Sequence, residues 1–483
     1  MRRIWLISKN ELRYWQRSRL AWCMLLALAL VSISSAIVSS AELSQRDEAR
    51  RQQQAEANAI FLAQPDRHPH RMVHYGHYVY RTPSPLAAVD SGIDSIVGTS
   101  IFLEGHRQNT TTFATARETG LLARFGALSP AFVMQVIVPL LLIICGFAAV
   151  TRERENNSLY QLLGQGVTGG ILLLGKGLAL LIAGVLALVP MVVLGYVATG
   201  GAWESYQSLW VMAFGYLIYL MIWAALIVSV SAWVKTSSLA LSSLLGLWMV
   251  TVVLMPRLAS EVASVAAPAA GNTETGLYTA QALRTAGDGH NANDPAFNDL
   301  LSQALAEHDV ERVEDLPFNY RGLVALRSEE TETRALNEQS HSRMEQERQQ
   351  KMLADRFGFL SPSIAMRAFS MAMAGTGLEA YHQFLQTAEA YRYNMVQTFN
   401  RLHMNELRYA DDIARSVSDM AEQNARISSR NWADMPAFEY VPTSHGERWQ
   451  AALPAAFNLA FWAITAIVCL VLASRRVSRR VDR

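Results

Sequence analysis

The sequence predicts an all-α membrane protein with six transmembrane helices and two mainly helical periplasmic insertions. Of its 483 residues, 51% are hydrophobic and 17% are charged, a low charged fraction for a soluble protein. The apolar residues also cluster into six stretches, each near the roughly 20 residues that cross a hydrocarbon core. Because the backbone in lipid must satisfy its own hydrogen bonds, we expect these stretches to be helices. They are 20–40, 129–150, 171–196, 207–233, 237–256 and 452–473.

Basic residues at both ends set the expected orientation. Six cations in residues 1–19 stand against Glu11, and five arginines in the 474–483 tail stand against Asp482. The positive-inside rule therefore places both tails in the cytoplasm. The net charge of +1 averages these tails with mixed-charge regions and carries no signature of a nucleic-acid partner.

Six spans with both ends inside divide the remaining segments between the two sides. The 151–170 connector and the turn at Lys235 are expected in the cytoplasm. Residues 41–128 form the first insertion and residues 257–451 the second, both expected in the periplasm. We interpret the first span as an uncleaved signal-anchor, with a cleaved signal peptide as the alternative.

Residues 1–19 have the pattern of an interfacial helix. Trp5, Leu12 and Trp15 recur at helical spacing among the cations. This predicts an amphipathic helix in contact with membrane lipid at the inner interface. The alternative is an ordinary basic flank with aromatic anchors.

The second insertion is rich in helical signals. Asp294-Pro295 predicts a helix start, and Thr376 to Glu379 has the pattern of a capping box. An apolar face recurs every three or four residues from Leu378 to Leu402, and 323–354 is polar all round, as in a stalk helix. We expect long packed helices and no sheet. In the first insertion, Pro83, Pro85 and Gly92 break regular structure.

A short sequence occurs in both insertions. RFGALSP at 124–130 is echoed by RFGFLSP at 356–362. Both copies are interpreted as returns of the chain to the outer membrane surface.

The three cysteines are Cys23, Cys145 and Cys469, and all lie within predicted spans. They offer no disulfide framework to the insertions, and packing is their expected role.

The chain shows no catalytic constellation, so we predict that it is not an enzyme. Gly170 to Lys176 nearly fits a phosphate-binding loop, but Gly177 stands where Ser or Thr should hold magnesium. The centres of the spans contain no ionisable residue, which argues against an ion-coupled carrier. Any energy from ATP must therefore come from another subunit, and no bound cofactor is expected in this chain.

Histidines in the first insertion raise the question of metal binding. His68, His70, His74 and His77 are close in sequence, with His106 nearby, and imidazoles bind copper or zinc. No cysteine or clear carboxylate completes the set, and the spacing matches no structural zinc pattern. We therefore predict no metal ligands and interpret them as loop histidines, with metal binding as the alternative.

Two further groups are candidates for function. Tyr216, Tyr219 and Trp223 lie deep in the fourth span, where they form a possible substrate path or simply pack. The connector follows the second span directly and is too short to move independently of it. Five of its charged or polar residues are consecutive: Arg152, Glu153, Arg154, Glu155 and Asn156. A short charged segment can orient a partner surface, so these five are our candidate ATPase-coupling residues, with a solvated loop as the alternative.

The residues around the connector carry a resemblance. RERENNSLYQLLGQGVTGGILLLGK, from Arg152 to Lys176, resembles the connector of the type-2 class of ABC exporter permeases, although that class usually has Gly-Thr in place of Asn157-Ser158. The stretches YGHYVYRTPSPLAAVDSGI and LPFNYRGL look like a bacterial branch with two large periplasmic insertions.

The resemblance implies a type V ABC transporter in the bacterial inner membrane. Two permeases, identical or sister chains, would each dock on an ATPase subunit that binds ATP and magnesium. The connector and the N-terminal helix would seat in grooves of that ATPase. The expected function is export or periplasmic handling of a cargo, with a periplasmic protein as a further partner.

Two alternatives stand beside the permease. One is a mechanotransmission complex in which nothing crosses the membrane. The other is a membrane-anchored periplasmic binding protein without transport. One relative in the class serves copper maturation, which keeps a metal-linked role open.

Overall fold

Six helices are long and apolar enough to cross a membrane in the computed structural model. It describes residues 1–94, 96–112, 128–268, 276–277, 280–281, 283–284 and 287–479. Helices make up 76% of the structure, so the predicted class of a helical membrane protein is confirmed. The six spanning helices are Ala21–Leu62, Pro130–Glu155, Gly169–Ala198, Trp203–Trp233, Ser237–Ala266 and His445–Ser478.

The first span continues far beyond the length that a membrane requires. The interfacial helix Arg2–Arg17 ends at Ser18, whose hydroxyl accepts a hydrogen bond from Ala21 N–H and caps the helix Arg19–Leu62. At 1.5 Å per residue its 44 residues extend about 66 Å, roughly twice the hydrocarbon core. The outer half of this helix is therefore part of the first insertion.

Two spans contain π-helical turns, and each turn directly precedes a proline. Val133–Ile137 precedes Pro139, and Met249–Leu254 precedes Pro256. Proline lacks an N–H, so carbonyls one turn earlier lose their helical partner. Side chains replace it: Tyr219 Oη donates to Gln135 O at 2.7 Å and Ser361 Oγ donates to Thr251 O at 2.5 Å.

The first insertion contains a small sheet that was not predicted from the sequence. After the helix Pro69–Tyr75, strand β1 (His77–Tyr80) pairs antiparallel with β2 (Ser100–Leu103), with His77 opposite Leu103. The two strands have four residues each, so they lack a long alternating pattern. The helical turn Pro85–Ala88 lies between them, and 113–127 lies outside the described residues.

The described part of the second insertion is helical, as predicted. Its longest members are Tyr320–Arg356 and Leu378–Glu406, which pack against each other. Further helices in the described residues are Asn298–Glu307, Pro362–Ala374, Tyr409–Ala414, Asp419–Asn424 and Arg430–Ala433, with 3-10 turns at Pro295–Phe297, Val313–Asp315 and Phe357–Phe359.

Of the two helix starts predicted in the second insertion, the structure confirms one and contradicts the other. Asp294 caps Pro295–Phe297 by accepting from Ala296 N–H, as expected. The capping box at Thr376 was wrong, because Gly377 is the cap of Leu378–Glu406 and makes no side-chain cap bond. A complete capping box instead joins Ser444 and Glu447 at the start of the sixth span.

The helix Pro362–Ala374 lies against the spans and was not predicted. Its Phe369 packs closely on Gly215 of the fourth span, and its Ser363 hydroxyl is 2.8 Å from Tyr219 Oη. It begins at the Ser-Pro of the second short repeat. In both repeats that serine caps a helix: Ser129 accepts from Phe132 N–H and Ser361 from Ile364 N–H.

The bundle has two distinct ends. The connector end carries the interfacial helix, the connector and the last turn of the sixth span, since Arg3 donates to Gly166 O at 2.7 Å and Gly169 N–H donates to Ser478 Oγ at 3.1 Å. The insertion end carries both insertions. A separate apolar core holds the insertions together, with Phe61, Met72, Phe399 and Trp432 among its members.

Candidate functional sites

The connector folds into two short helices joined by a left-handed residue. Thr151–Glu155 and Ser158–Gly164 meet at Asn157, whose φ is +58°. Asparagine is among the few residue types that tolerate this conformation, and glycine is another. The turn therefore accommodates Asn157 where the resembled connectors have glycine.

Four charged side chains meet beneath the connector, and we call them the charge knot: Glu11, Arg152, Glu153 and Lys176. Lys176 Nζ lies 2.5 Å from Glu11 Oε2 and 2.7 Å from Glu153 Oε1. Arg152 Nη2 lies 2.9 and 3.0 Å from the two carboxylate oxygens of Glu11. Glu11 is only 2% exposed and Lys176 only 3%. Two cations and two carboxylates balance in charge, as buried ions must.

The charge knot joins three elements that are distant in sequence. Glu11 belongs to the interfacial helix, Arg152 and Glu153 to the connector, and Lys176 to the third span. The Arg152 guanidinium also lies over the Tyr14 ring, 3.6 Å from its centroid. None of these elements can shift alone without separating buried charges.

The remaining coupling candidates contact the loop between spans four and five. Arg154 donates to the carbonyls of Ala232, at 2.8 Å, and Val234. Glu155 accepts from both the N–H and the hydroxyl of Ser237, each at 2.7 Å. Glu155 and Asn156 stay exposed, whereas Arg152, Glu153 and Arg154 are partly buried. Docking of an ATPase on these five residues stays a prediction.

The exposed surface of the connector lies just beyond these residues. Asn157, Tyr160 and Gln161 are exposed, and the Tyr160 side chain projects outward with 54% of its surface free. Tyr160 was not among the residues predicted from the sequence. Tyrosine is among the residue types that are enriched in protein interfaces.

The three interfacial-helix residues face different surroundings. Trp15 is fully buried and joins the core of the bundle, and Leu12 packs at its edge. Trp5 is exposed. The helix lies on the third span so closely that a Cβ on Gly175 would come within 2.6 Å of Ile7. It is therefore anchored by protein contacts as well as by its predicted lipid face.

The aromatic residues proposed as a substrate path are all buried. Tyr216, Tyr219 and Trp223 have no exposed surface. Tyr216 Oη accepts from Gln135 Nε2 at 2.8 Å, and Tyr219 caps the proline-freed carbonyl of Gln135. These contacts favour the packing alternative in this conformation.

A cavity of about 1010 Å³ opens at the insertion end. It lies between the helices Tyr320–Arg356, Leu378–Glu406 and the start of the sixth span. Arg348, Lys351 and Arg448 line it together with apolar Met352 and Phe457. This mixture suits a molecule with both a polar and an apolar part.

Four histidines converge on the surface of the insertions, and we call them the imidazole cluster: His70, His74, His106 and His290. Each offers one ring nitrogen, and the four nitrogens lie within 4.8 Å of one another. His70 and His74 stand one turn apart on Pro69–Tyr75, so they share a helix face. His106 follows β2, and His290 comes from the second insertion.

Two of these imidazoles contact a carboxylate through the ring nitrogen that faces away from the cluster. His106 Nδ1 is 2.7 Å from Glu332 Oε2, and His290 Nδ1 is 3.2 Å from Asp288 Oδ1. Burial would lower the pKa of His106, but Glu332 and Glu329 outweigh it and raise the pKa. Burial lowers the pKa of His70 well below its usual range, and lowers that of His74.

The other histidines of the predicted loop do not join the cluster. His68 Nε2 lies 3.1 Å and His403 Nε2 lies 2.7 Å from the carboxylate of buried Asp412, and these two imidazoles hold the pKa of that carboxyl low against the effect of burial. Asn319 also donates to this carboxylate, so side chains from three segments hold it in place. His77 is buried beside the Phe61 ring, and burial lowers its pKa to about 4.

Comparison with known families matches part of the chain. Residues 276–441 match a domain of unknown function, DUF3526. The match lies within the second insertion and includes none of the six spanning helices. It also includes His290 of the imidazole cluster. A comparison with curated proteins gives no match.

Proposed function

We propose that this chain is the permease subunit of an ATP-driven transporter of the ABC type-2 exporter class. A separate ATPase would bind the connector end and drive export or periplasmic handling of a cargo. The single observation that carries the proposal is the charge knot beneath the connector. Burying four charges is expensive unless their geometry is kept, so the knot favours rigidity at this place.

Rigidity here has a mechanical consequence. The exposed helix Ser158–Gly164 rests on Glu153, because the Ser158 hydroxyl donates to that carboxylate. Glu153 is paired with Lys176 of the third span, and Glu11 links the same lysine to the interfacial helix. A push on the connector would therefore move the interfacial helix and the third span together.

The motion would also reach the second and fifth spans. Thr151 lies in the last turns of the second spanning helix, Pro130–Glu155, and its hydroxyl is 2.9 Å from that of Ser237 at the start of the fifth. Glu155 accepts from the same serine. The connector thus contacts the ends of several spans and leaves Tyr160 free for a partner.

Purification of the full chain in mild detergent from its native host tests the proposal. We expect a stoichiometric soluble ATPase with a phosphate-binding loop, together with a second permease chain. Two substitutions separate docking from folding: Tyr160→Ala should release the ATPase from a folded chain, whereas Glu153→Arg should destabilise the chain itself. Recovery of the chain alone, or with periplasmic proteins only, would overturn the permease in favour of an anchored binding protein.

Mechanotransmission is the second candidate, and the unbroken helix Arg19–Leu62 favours it. Ser18 alone separates this helix from the interfacial helix, and the helix ends in the first insertion. There Gln54 Nε2 donates to Tyr78 O, and Gln54 Oε1 accepts from Tyr80 N–H. A rigid rod of this kind can move the insertions without passing a cargo. Ala55→Pro, which interrupts the exposed part of the rod, should abolish an ATP-driven response of the insertions, while Ala55→Ser should retain it.

A further inference from the structure

The imidazole cluster has the arrangement of a metal site. Three of its histidines come from the first insertion and His290 comes from the second. His74 Nε2 lies 3.1 Å from His70 Nε2 and also 3.1 Å from His290 Nε2. The His106 ring is 5.3 Å from that of His74 and 5.0 Å from that of His290, centroid to centroid.

The hydrogen-bond pattern turns lone pairs toward one another. When neutral, His106 gives its Nδ1 proton to Glu332, and His290 gives its own to Asp288, so the Nε2 atom of each is bare. His106 Nε2 is buried and has no hydrogen-bond partner among the described residues. A single proton on His74 Nε2 can be donated to only one of the facing nitrogens, whereas a cation at the centre could accept a lone pair from each of the four imidazoles.

The spacing of the nitrogens suits a tetrahedral ion. Zinc–imidazole bonds of about 2.0–2.1 Å in a tetrahedron place ligand nitrogens roughly 3.3–3.4 Å apart. Two of the observed separations are 3.1 Å, and the remainder stay within 4.8 Å. His74 and His290 are exposed side chains, so ring rotation can close the longer separations without disturbing a core.

The surroundings have the features that accompany metal-bound histidines. A ligating imidazole usually donates its second N–H to a carboxylate, which fixes the ring. Glu332 and Asp288 occupy these positions for His106 and His290. Glu329 also lies 3.2 Å from His106 Nδ1, and it is itself held by Arg392 at 2.6 Å. Arg392 thereby fixes the carboxylate behind the cluster.

We propose that His70, His74, His106 and His290 bind one divalent transition-metal ion, for which Zn²⁺ suits the four-imidazole tetrahedron. The bound ion would join the first insertion to the DUF3526-matched insertion. Because His74 and His290 face solvent, the ion can enter and leave without unfolding of the domain. This proposal stands independently of the proposed transport function.

Metal titration of the full chain tests the site. The chain is purified in detergent without a polyhistidine tag, treated with a chelator and titrated with Co²⁺ alone and then Zn²⁺ alone. We expect one ion per chain and the intense visible absorption of four-coordinate cobalt. Zn²⁺ should displace the cobalt and raise the thermal unfolding midpoint, since an ion that binds only the folded state stabilises it.

Three variants decide which residues hold the ion. His74→Ala and His290→Ala should each weaken Zn²⁺ binding at least tenfold and remove the zinc-dependent rise in unfolding midpoint. His290 is half-exposed, with 51% of its side chain free, so its replacement leaves the fold intact. His341→Ala, an exposed histidine on Tyr320–Arg356, is the matched control and should bind as the wild type does. Absence of stoichiometric binding, or binding unchanged in both cluster variants, would overturn the proposal.

Discussion

Arg152 and Glu11 lie 141 residues apart in sequence, yet one guanidinium nitrogen of Arg152 contacts both carboxylate oxygens of Glu11, at 3.0 and 2.9 Å. Lys176 reaches the same carboxylate at 2.5 Å. Glu11 thus joins the connector to the third span through the interfacial helix. This contact is the basis of the mechanical part of the proposed function.

Removal of the Glu11 charge should destabilise the connector end. Glu11→Gln leaves Arg152 and Lys176 buried with Glu153 as their only carboxylate in the charge knot. Breaking a buried ion pair by removing one partner costs on the order of 3 kcal/mol or more. The free energy of unfolding in detergent should fall accordingly. Arg13→Ala, on the exposed face of the same helix, is the control, and an equal effect of both variants would refute the role of the knot.

Packing of the interfacial helix depends on one glycine. A Cβ on Gly175 would lie 2.6 Å from Ile7 Cβ and 3.0 Å from Ile4 O, whereas one on Gly177 would have its nearest neighbour at 4.0 Å. Gly175→Ala should therefore displace the interfacial helix and lower the unfolding midpoint. Gly177→Ala should leave it unchanged or raise it, because alanine favours a helix over glycine by about 1 kcal/mol. Protease cleavage after the basic residues of the interfacial helix reports the displacement.

Tyr160 should act as an anchor for the ATPase. Tyrosine is enriched among the few interface residues whose truncation costs about 2 kcal/mol or more, which corresponds to roughly thirtyfold in affinity. Tyr160→Ala should reduce ATPase recovery with the purified chain, with unchanged folding. Trp203→Ala is the control, because Trp203 is also an exposed aromatic residue but lies at the insertion end. Equal recovery with both variants would place the ATPase elsewhere.

Protonation of His77 should weaken the insertion core in acid. Burial lowers the pKa of His77 to about 4 from 6.5, so between these values the unfolded state binds more protons than the folded state. Its contribution to stability is therefore present above about pH 6.5 and lost as the pH falls toward 4. The free energy of unfolding should fall by roughly 3 kcal/mol, because each unit of pKa difference between the folded and unfolded states is worth about 1.36 kcal/mol.

The matched variant for that prediction is His77→Phe, which cannot titrate. Thermal unfolding of both proteins from pH 7 to pH 4 is the measurement. We expect the wild type to lose more stability than the variant over this range. Parallel losses in the two proteins would show that His77 does not carry the effect.

The spans were predictable because their signal is local. An apolar stretch of sufficient length has few alternatives in lipid, and the amphipathic face from Leu378 to Leu402 fixes its helix in the same way. The two four-residue strands were not predicted, because so short a pattern of apolar and polar residues does not distinguish a strand from a loop.

The sites depended on tertiary contacts that the sequence does not encode locally. The connector was selected for its charges, but Glu11 and Lys176, which neutralise them, lie in other elements. The loop histidines were noticed, but His290 is 216 residues from His74. Glu329 and Glu332, the carboxylates that contact His106, come from a third segment, the helix Tyr320–Arg356. The capping box at Thr376 failed because Gly375 already ends the preceding helix with a φ of +69°.

Photocrosslinking from position 160 tests the central claim most directly. A photoreactive amino acid replaces Tyr160 in the full chain, and the same replacement at Trp203 serves as the control. Irradiation of native membranes should join position 160 to a nucleotide-binding ATPase subunit and should give no such product from position 203. If position 160 reacts only with lipid or with this chain, the connector is not the seat of an ATPase and the proposed function is wrong.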